Sequence, residues 1–157
     1  MMSDVQKVAQ ILMDYEYKIA FAESMTGGAL VSELVKVPGV SSILDYSVVT
    51  YSESAKEQML NIPKMLFDVH GVVSKVVAIE MAKNIATIAK AEVGVGITGN
   101  AGPTAQTNSQ VGEVWFAFFY QGESYSYHLQ LKNEGRDAII EHAKKVVFQM
   151  LLKLLTK

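Results

Sequence analysis

Two short apolar runs, each ending in a polar turn that carries glycine, constrain this chain more than any other feature. Lys18 to Ala22 reads as a buried strand and leads straight into Glu23-Ser24-Met25-Thr26-Gly27-Gly28 and a helix through about Val37. Val93 to Ile97 reads as a second such strand and runs into Thr98-Gly99-Asn100-Ala101-Gly102-Pro103. In an open α/β sheet, ligands collect outside the carboxyl ends of the strands, so the two turns are predicted to line one crevice. The first turn also offers helix N-terminal N–H groups to a phosphate or carboxylate, unless Ser or Thr side chains cap those amides themselves.

Helical patterns fill the intervals. Val5, Val8, Ile11, Leu12 and Tyr15 recur at helical spacing behind a Ser3-Asp4 cap, and a helix opened by Ser52 runs to about Leu60, where Asn61-Ile62-Pro63 breaks it. A short helical piece spans Lys64 to Val69; beyond His70-Gly71, Ser74 caps a helix with its apolar face on Val77, Met81, Ile85 and Ile88. His70, before a glycine in a turn, fits a structural hydrogen bond better than catalysis. Val114 to Tyr120 is continuously apolar, as a central strand should be, and Ser124 to Leu131 pairs with it as a hairpin through Gln121-Gly122. Gly135-Arg136-Asp137 precedes a last helix whose stripe includes Ile139, Ala143, Val147 and Leu151. The alternation predicts an α/β fold: a single three-layer α/β/α domain over residues 1–157 with a mixed sheet. The polar stretch Thr104 to Gln110 is a candidate lid, and the apolar hairpin Trp115 to Tyr127 is a candidate exposed surface for self-association.

Composition narrows the function classes. With 157 residues, half of them hydrophobic, the chain has room for one full core. A net charge of −2 with scattered Lys and Arg gives no basic footprint for nucleic acid or an anionic membrane. The absence of cysteine removes disulfides, thiolate metal sites and cysteine nucleophiles. The first residues are polar and amphipathic, unlike a signal peptide, and no apolar run approaches the ~20 residues of a membrane span. A cytoplasmic protein is expected, with neither nucleic acid nor membrane as partner.

The stretch from Ser41 to Lys56, SSILDYSVVTYSESAK, joins a possible serine nucleophile, a predicted strand over Leu44 to Tyr51 and a lysine. A strand of that length holds its ends more than about 20 Å apart at roughly 3.3 Å per residue, so the serine and lysine meet only if the chain bends back. Taken singly, Ser41 also fits a turn cap, Lys56 a solvated helix lysine, Tyr51 a core residue and Arg136 a surface ion-pair partner.

Taken together, ESMTGG, VPGVSS, VVTYSESAK, HGVVS, TGNAGP, VGEVWFAF and GRDA, in this order over nearly the whole chain, resemble the CinA C-terminal domain family. The resemblance implies the three-layer fold read independently above. It also implies an amidase of the kind found in free-standing members, which hydrolyse the carboxamide of nicotinamide mononucleotide to nicotinate mononucleotide and ammonia without a cofactor or metal. Carried over by motif, it makes Ser41 the nucleophile with Ser42 as the alternative, Lys56 the general base and Tyr51 their assistant. Thr98, Gly99 and Arg136 line the substrate site, with Ser24, Thr26, Gly27 and Gly28 as further substrate contacts, and Arg136 or the ESMTGG helix terminus holds the phosphate. The family also suggests a homo-oligomer. Met25 stands where the family usually has cysteine, Val40 where it has the first of paired serines, and Asn100 where it has an apolar residue; Thr104 to Gln110 lacks the usual glycine-rich loop. An amidase for another pyridine nucleotide or related small carboxamide, and a non-catalytic nucleotide-binding or competence-associated interaction domain, are the alternative functions.

Overall fold

The computed structural model describes residues 1–106 and 108–157. It is a three-layer α/β/α arrangement around a five-stranded mixed sheet with strand order β2-β1-β3-β4-β5. The strands are β1 (Ile19–Glu23), β2 (Val48–Val49), β3 (Val93–Gly99), β4 (Glu113–Tyr120) and β5 (Glu123–Gln130); β1 pairs in parallel with β2 and β3, and the β3–β4 and β4–β5 pairs are antiparallel. The helices are α1 (Asp4–Tyr15), α2 (Ala29–Leu34), α3 (Glu53–Leu60), α4 (Lys64–His70), α5 (Lys75–Ala89) and α6 (Arg136–Leu155). No helix among the described residues is long and apolar enough to cross a membrane.

Period-two alternation assigns the strand side chains to two cores. Ile19 and Phe21 of β1, with Val93, Val95 and Ile97 of β3 and Val114, Phe116 and Phe118 of β4, face the layer formed by α1, α2 and α6. Ala20 and Ala22 face α3, α4 and α5, where Leu60, Phe67, Val77, Met81 and Ile85 close a second core. On that face β3 carries Gly94 and Gly96 between its valines, and α5 lies directly on them: a Cβ at Gly94 would come within 2.1 Å of the Ala82 carbonyl oxygen, and one at Gly96 within 2.5 Å of that of Ala78. The glycines are therefore a socket for the helix rather than a weakness in the strand.

The helix starts follow the capping residues. Ser3 and Gln6 form a reciprocal capping box at α1, Ser52 accepts from the Ala55 amide at 3.0 Å, and Ser74 accepts from the Val77 amide at 3.3 Å. Two expectations change. The strand predicted over Leu44–Tyr51 shrinks to Val48–Val49, because at this sheet edge the Ser47 hydroxyl, not a backbone carbonyl, accepts the Phe21 N–H at 2.8 Å. The hairpin aromatics are half-buried or buried rather than exposed: Trp115 stacks on His128 at 4.3 Å between ring centroids, and Phe116 and Phe118 belong to the main core.

Candidate active site

The parallel strands β1 and β3 end side by side, and the turns that follow them open a cleft of about 470 Å³. Ser24 and Met25 line it from the first turn, Thr98 to Gln106 from the second, Tyr51 and Glu53 from the start of α3, and Arg136 from the start of α6. The two glycine turns thus form one crevice, as their position after two sheet strands predicts. Thr107, within the candidate lid, lies outside the described residues.

Lys56 is the chemical centre. It lies one turn into α3, fully buried, with its Nζ 2.9 Å from Ser24 Oγ and 2.7 Å from the Thr50 carbonyl oxygen. No carboxylate forms an ion pair with it among the described residues. Burial therefore dominates its titration and lowers its pKa from the ordinary 10.5 to about 8, against a weaker upward pull from the Glu53 carboxylate. When the amine is neutral, one N–H serves Thr50 and the lone pair is left to accept the Ser24 hydroxyl proton.

Glu23, which sequence reasoning left out of the site, shapes the turn that carries Ser24. Its fully buried carboxylate accepts the Thr26 hydroxyl at 2.6 Å and the amides of Gly28, Leu30 and Val31 at 3.1, 3.1 and 3.0 Å. This corrects the expectation that the ESMTGG helix terminus holds a phosphate, since the chain's own carboxylate already occupies it. Thr26, Gly27 and Gly28 do not line the cleft. Thr26 is turned to Glu23, and the glycines, at φ 61° and 103°, supply the left-handed backbone of the turn. The amides of Met25 and Thr26, by contrast, find no acceptor among the described residues. A glutamate closing an apolar strand just before a glycine turn and a helix was the available signal.

On the opposite wall, Thr98 is buried and its hydroxyl donates to the Val72 carbonyl at 3.1 Å, while Gly99 ends β3. Asn100 braces the second turn: its side-chain oxygen accepts the Gly102 amide at 2.9 Å, and its nitrogen donates to the Thr104 carbonyl at 3.3 Å and the Ser109 hydroxyl at 3.4 Å. Its polar side chain has a structural purpose of the Asx-turn kind. Arg136 donates to the Gly102 carbonyl and to the Tyr51 hydroxyl, which joins the two predicted site residues at the mouth of the cleft. It has no carboxylate partner among the described residues. Among those residues, no group of three His, Cys, Asp or Glu is placed to hold a metal ion.

Ser41 and Ser42 are elsewhere. They form an exposed 3₁₀ turn, and the adjoining Ile43 carbonyl accepts the Ile19 amide at the amino end of β1. Ser24 follows the carboxyl end of the same strand, so five residues at roughly 3.3 Å each separate the two levels, about 16 Å. Ser42 donates to the Gly39 carbonyl at 3.0 Å, as a turn cap does. The structure brings Lys56 to Ser24, and it does not bring Ser41 or Ser42 to either.

Comparison with known proteins agrees with this fold. Residues 2–155 match the CinA C-terminal domain. The chain is 37% identical over 149 residues to a competence-damage inducible protein of Caldanaerobacter subterraneus and 36% identical over 151 residues to a CinA-like protein of Shewanella halifaxensis, covering 94% and 96% of this chain. It spans only 36% of the length of those relatives. Solved structures of CinA superfamily proteins from Klebsiella pneumoniae and Escherichia coli, each 28% identical, superpose with TM-scores of 0.93 and 0.92, covering 98% and 96% of this chain and 96% and 88% of theirs. A competence/damage inducible protein from Agrobacterium tumefaciens, also 28% identical, superposes with a TM-score of 0.89 over 100% of this chain and 98% of its own. With a match over nearly its whole length in sequence and in fold, the chain belongs to the CinA C-terminal domain family.

Proposed function

We propose that this protein is a serine–lysine amidase that converts nicotinamide mononucleotide to nicotinate mononucleotide and ammonia, with Ser24 as nucleophile and Lys56 as general base. The observation that carries the reading is the buried Lys56 amine, free of any ion pair among the described residues and 2.9 Å from Ser24 Oγ at the cleft wall. A serine hydroxyl is a weak nucleophile until a base takes its proton, and a lysine can do so only when neutral.

In the reaction, Ser24 Oγ attacks the carboxamide carbon as its proton passes to Lys56 Nζ. The tetrahedral oxyanion is met by the amide of Met25, which lines the cleft and has no acceptor of its own among the described residues. Collapse breaks the C–N bond, and Lys56 returns the proton to the departing nitrogen, releasing ammonia and leaving an ester on Ser24. Water then attacks the ester carbon, giving its proton to Lys56. The C–O bond to Ser24 breaks, Lys56 reprotonates the serine, and the acid formed loses its remaining proton to solvent and leaves as the carboxylate. Arg136, whose charge is not matched by any protein carboxylate among the described residues, holds the phosphate with Tyr51 as its support.

The test is ammonia release from nicotinamide mononucleotide by the purified chain across pH. The rate is expected to rise about tenfold from pH 7 to a plateau above the Lys56 pKa, since only the neutral amine is active. Ser41→Ala is expected to keep the parent rate within about twofold, because an exposed turn serine away from the cleft contributes little. No ammonia release at high protein concentration would sink the substrate assignment, and loss of activity in Ser41→Ala would sink the choice of nucleophile.

A further inference from the structure

Only two charged side chains line the cleft among the described residues, and they are of opposite sign: Arg136 and Glu53. Neither forms an ion pair with the other or with any other described group, whereas Lys18, Lys36, Lys64 and Lys144 each have a carboxylate partner. Glu53 is exposed and accepts no hydrogen bond from a described residue, although a carboxylate in the first turn of α3 suits the helix dipole. A cleft that carries two opposite charges, neither ion-paired among the described residues, is complementary to a ligand that carries a cation and an anion at a distance.

Glu53 lines the same cleft as Ser24, and its charge acts on Lys56, whereas Arg136 is not among the charges that act on Lys56, so the carboxylate lies toward the reacting end. Arg136, tied to Gly102 and Tyr51, belongs to the mouth. The Glu53 charge acts on Lys56 and on Lys64, and neither reaches it as an ion pair among the described residues.

We infer that Glu53 is a charge-selecting residue: it holds a cationic ring at the reacting end while Arg136 holds an anionic group, so the site takes zwitterionic pyridinium nucleotides and rejects their neutral-ring counterparts. This rests on the amidase reading for the placement of the carboxamide at Ser24.

The experiment separates the two claims. Calorimetric binding to the Ser24→Ala protein is measured for nicotinamide mononucleotide and for its reduced dihydropyridine form, which keeps the phosphate and loses the ring charge. The cationic form is expected to bind about tenfold more tightly, the size of one charge pair at a half-solvated site. Adding Glu53→Gln is expected to cut that preference to about twofold or less with the reduced form unaffected, and adding Arg136→Gln to weaken both ligands equally. A preference that is absent at the start, or that survives Glu53→Gln, overturns the proposal, as does failure of both ligands to bind. Ammonia release by the chain with Ser24 intact is read in parallel: no release with the preference intact sinks the amidase and leaves the charge selection standing, and release without preference does the reverse.

Discussion

Replacing Lys56 by methionine is expected to lower amide hydrolysis by at least about 10³-fold while leaving the fold as stable as the parent or more so, by up to about 3 kcal/mol at neutral pH. The two halves have different causes. The rate falls because no other side chain among the described residues is placed to take the Ser24 proton, and Ser24→Ala should fall to a similar level, since the pair acts as a unit. Stability holds because a buried lysine with no counter-charge is held at a cost that an apolar side chain of similar length avoids. Lys56 titrates at about 8 in the folded chain and near 10.5 when unfolded, so between these values the unfolded chain binds more protons and parent stability rises with pH. The advantage of Lys56→Met over the parent is therefore full below about pH 8 and closes as pH approaches 10.5. Denaturant titrations of both proteins at pH 7 and pH 10 measure it. A variant markedly less stable than the parent at pH 7 would show that the hydrogen bonds to Ser24 and Thr50 outweigh desolvation.

Gly94→Ala is expected to be a severely damaging single-methyl change, costing about 3–4 kcal/mol. The obstacle is the Ala82 carbonyl, a backbone atom of α5 at 2.1 Å from the new Cβ, with the Ala86 methyl at 2.7 Å, and neither can rotate away. Relief requires α5 to lift from the sheet, which would open the packing of Ala78 and Ala82 on Ala117. Gly122→Ala in the hairpin turn is the comparison, because nothing lies within 4 Å of its Cβ position and its cost comes only from φ 78°. Urea midpoints of the two variants, with the slope unchanged, decide it. Similar midpoints would mean that α5 adapts freely.

The layer order and most of the helices were legible because helical and strand periods leave separate marks. The Ser3, Ser52 and Ser74 caps are sequence signals that the structure repeats. What failed was vertical position within the sheet. Ser41 looked like a partner for Lys56 because it is near in sequence and carried by a family motif, yet it falls between α2 and β2. In a parallel β1–α2–β2 unit the helix returns the chain to the amino end of the sheet, so any residue between helix and second strand lies opposite a carboxyl-end site. Ser24, directly after β1, is on the correct side by the same rule. Glu23 marks the end of an apolar strand in the sequence, but three of its four partners are backbone amides, which residue types do not name. Glycine socketing was hidden for a related reason: VGVGI reads as a strand of low propensity until the helix that lies on it is known.

The two-residue strand β2 has a consequence for the base it leads to. Lys56 is dried by a segment held to β1 through the Ala22–Val48 and Glu23–Val49 pairs and the Thr50 amide on the Glu23 carbonyl, at the outer edge of the sheet. Such an edge opens with a smaller free energy than the core strands, and each opening admits water to the amine. In the open state the lysine recovers its ordinary affinity for protons and ceases to be a base at neutral pH. On the amidase reading proposed above, catalytic competence is thereby tied to a local unfolding unit. Activity is expected to fade in mild denaturant ahead of the loss of secondary structure, with the amides of Val48 to Thr50 exchanging hydrogen faster than those of β3. Coincident loss of activity and fold would show that the edge opens only with the whole molecule.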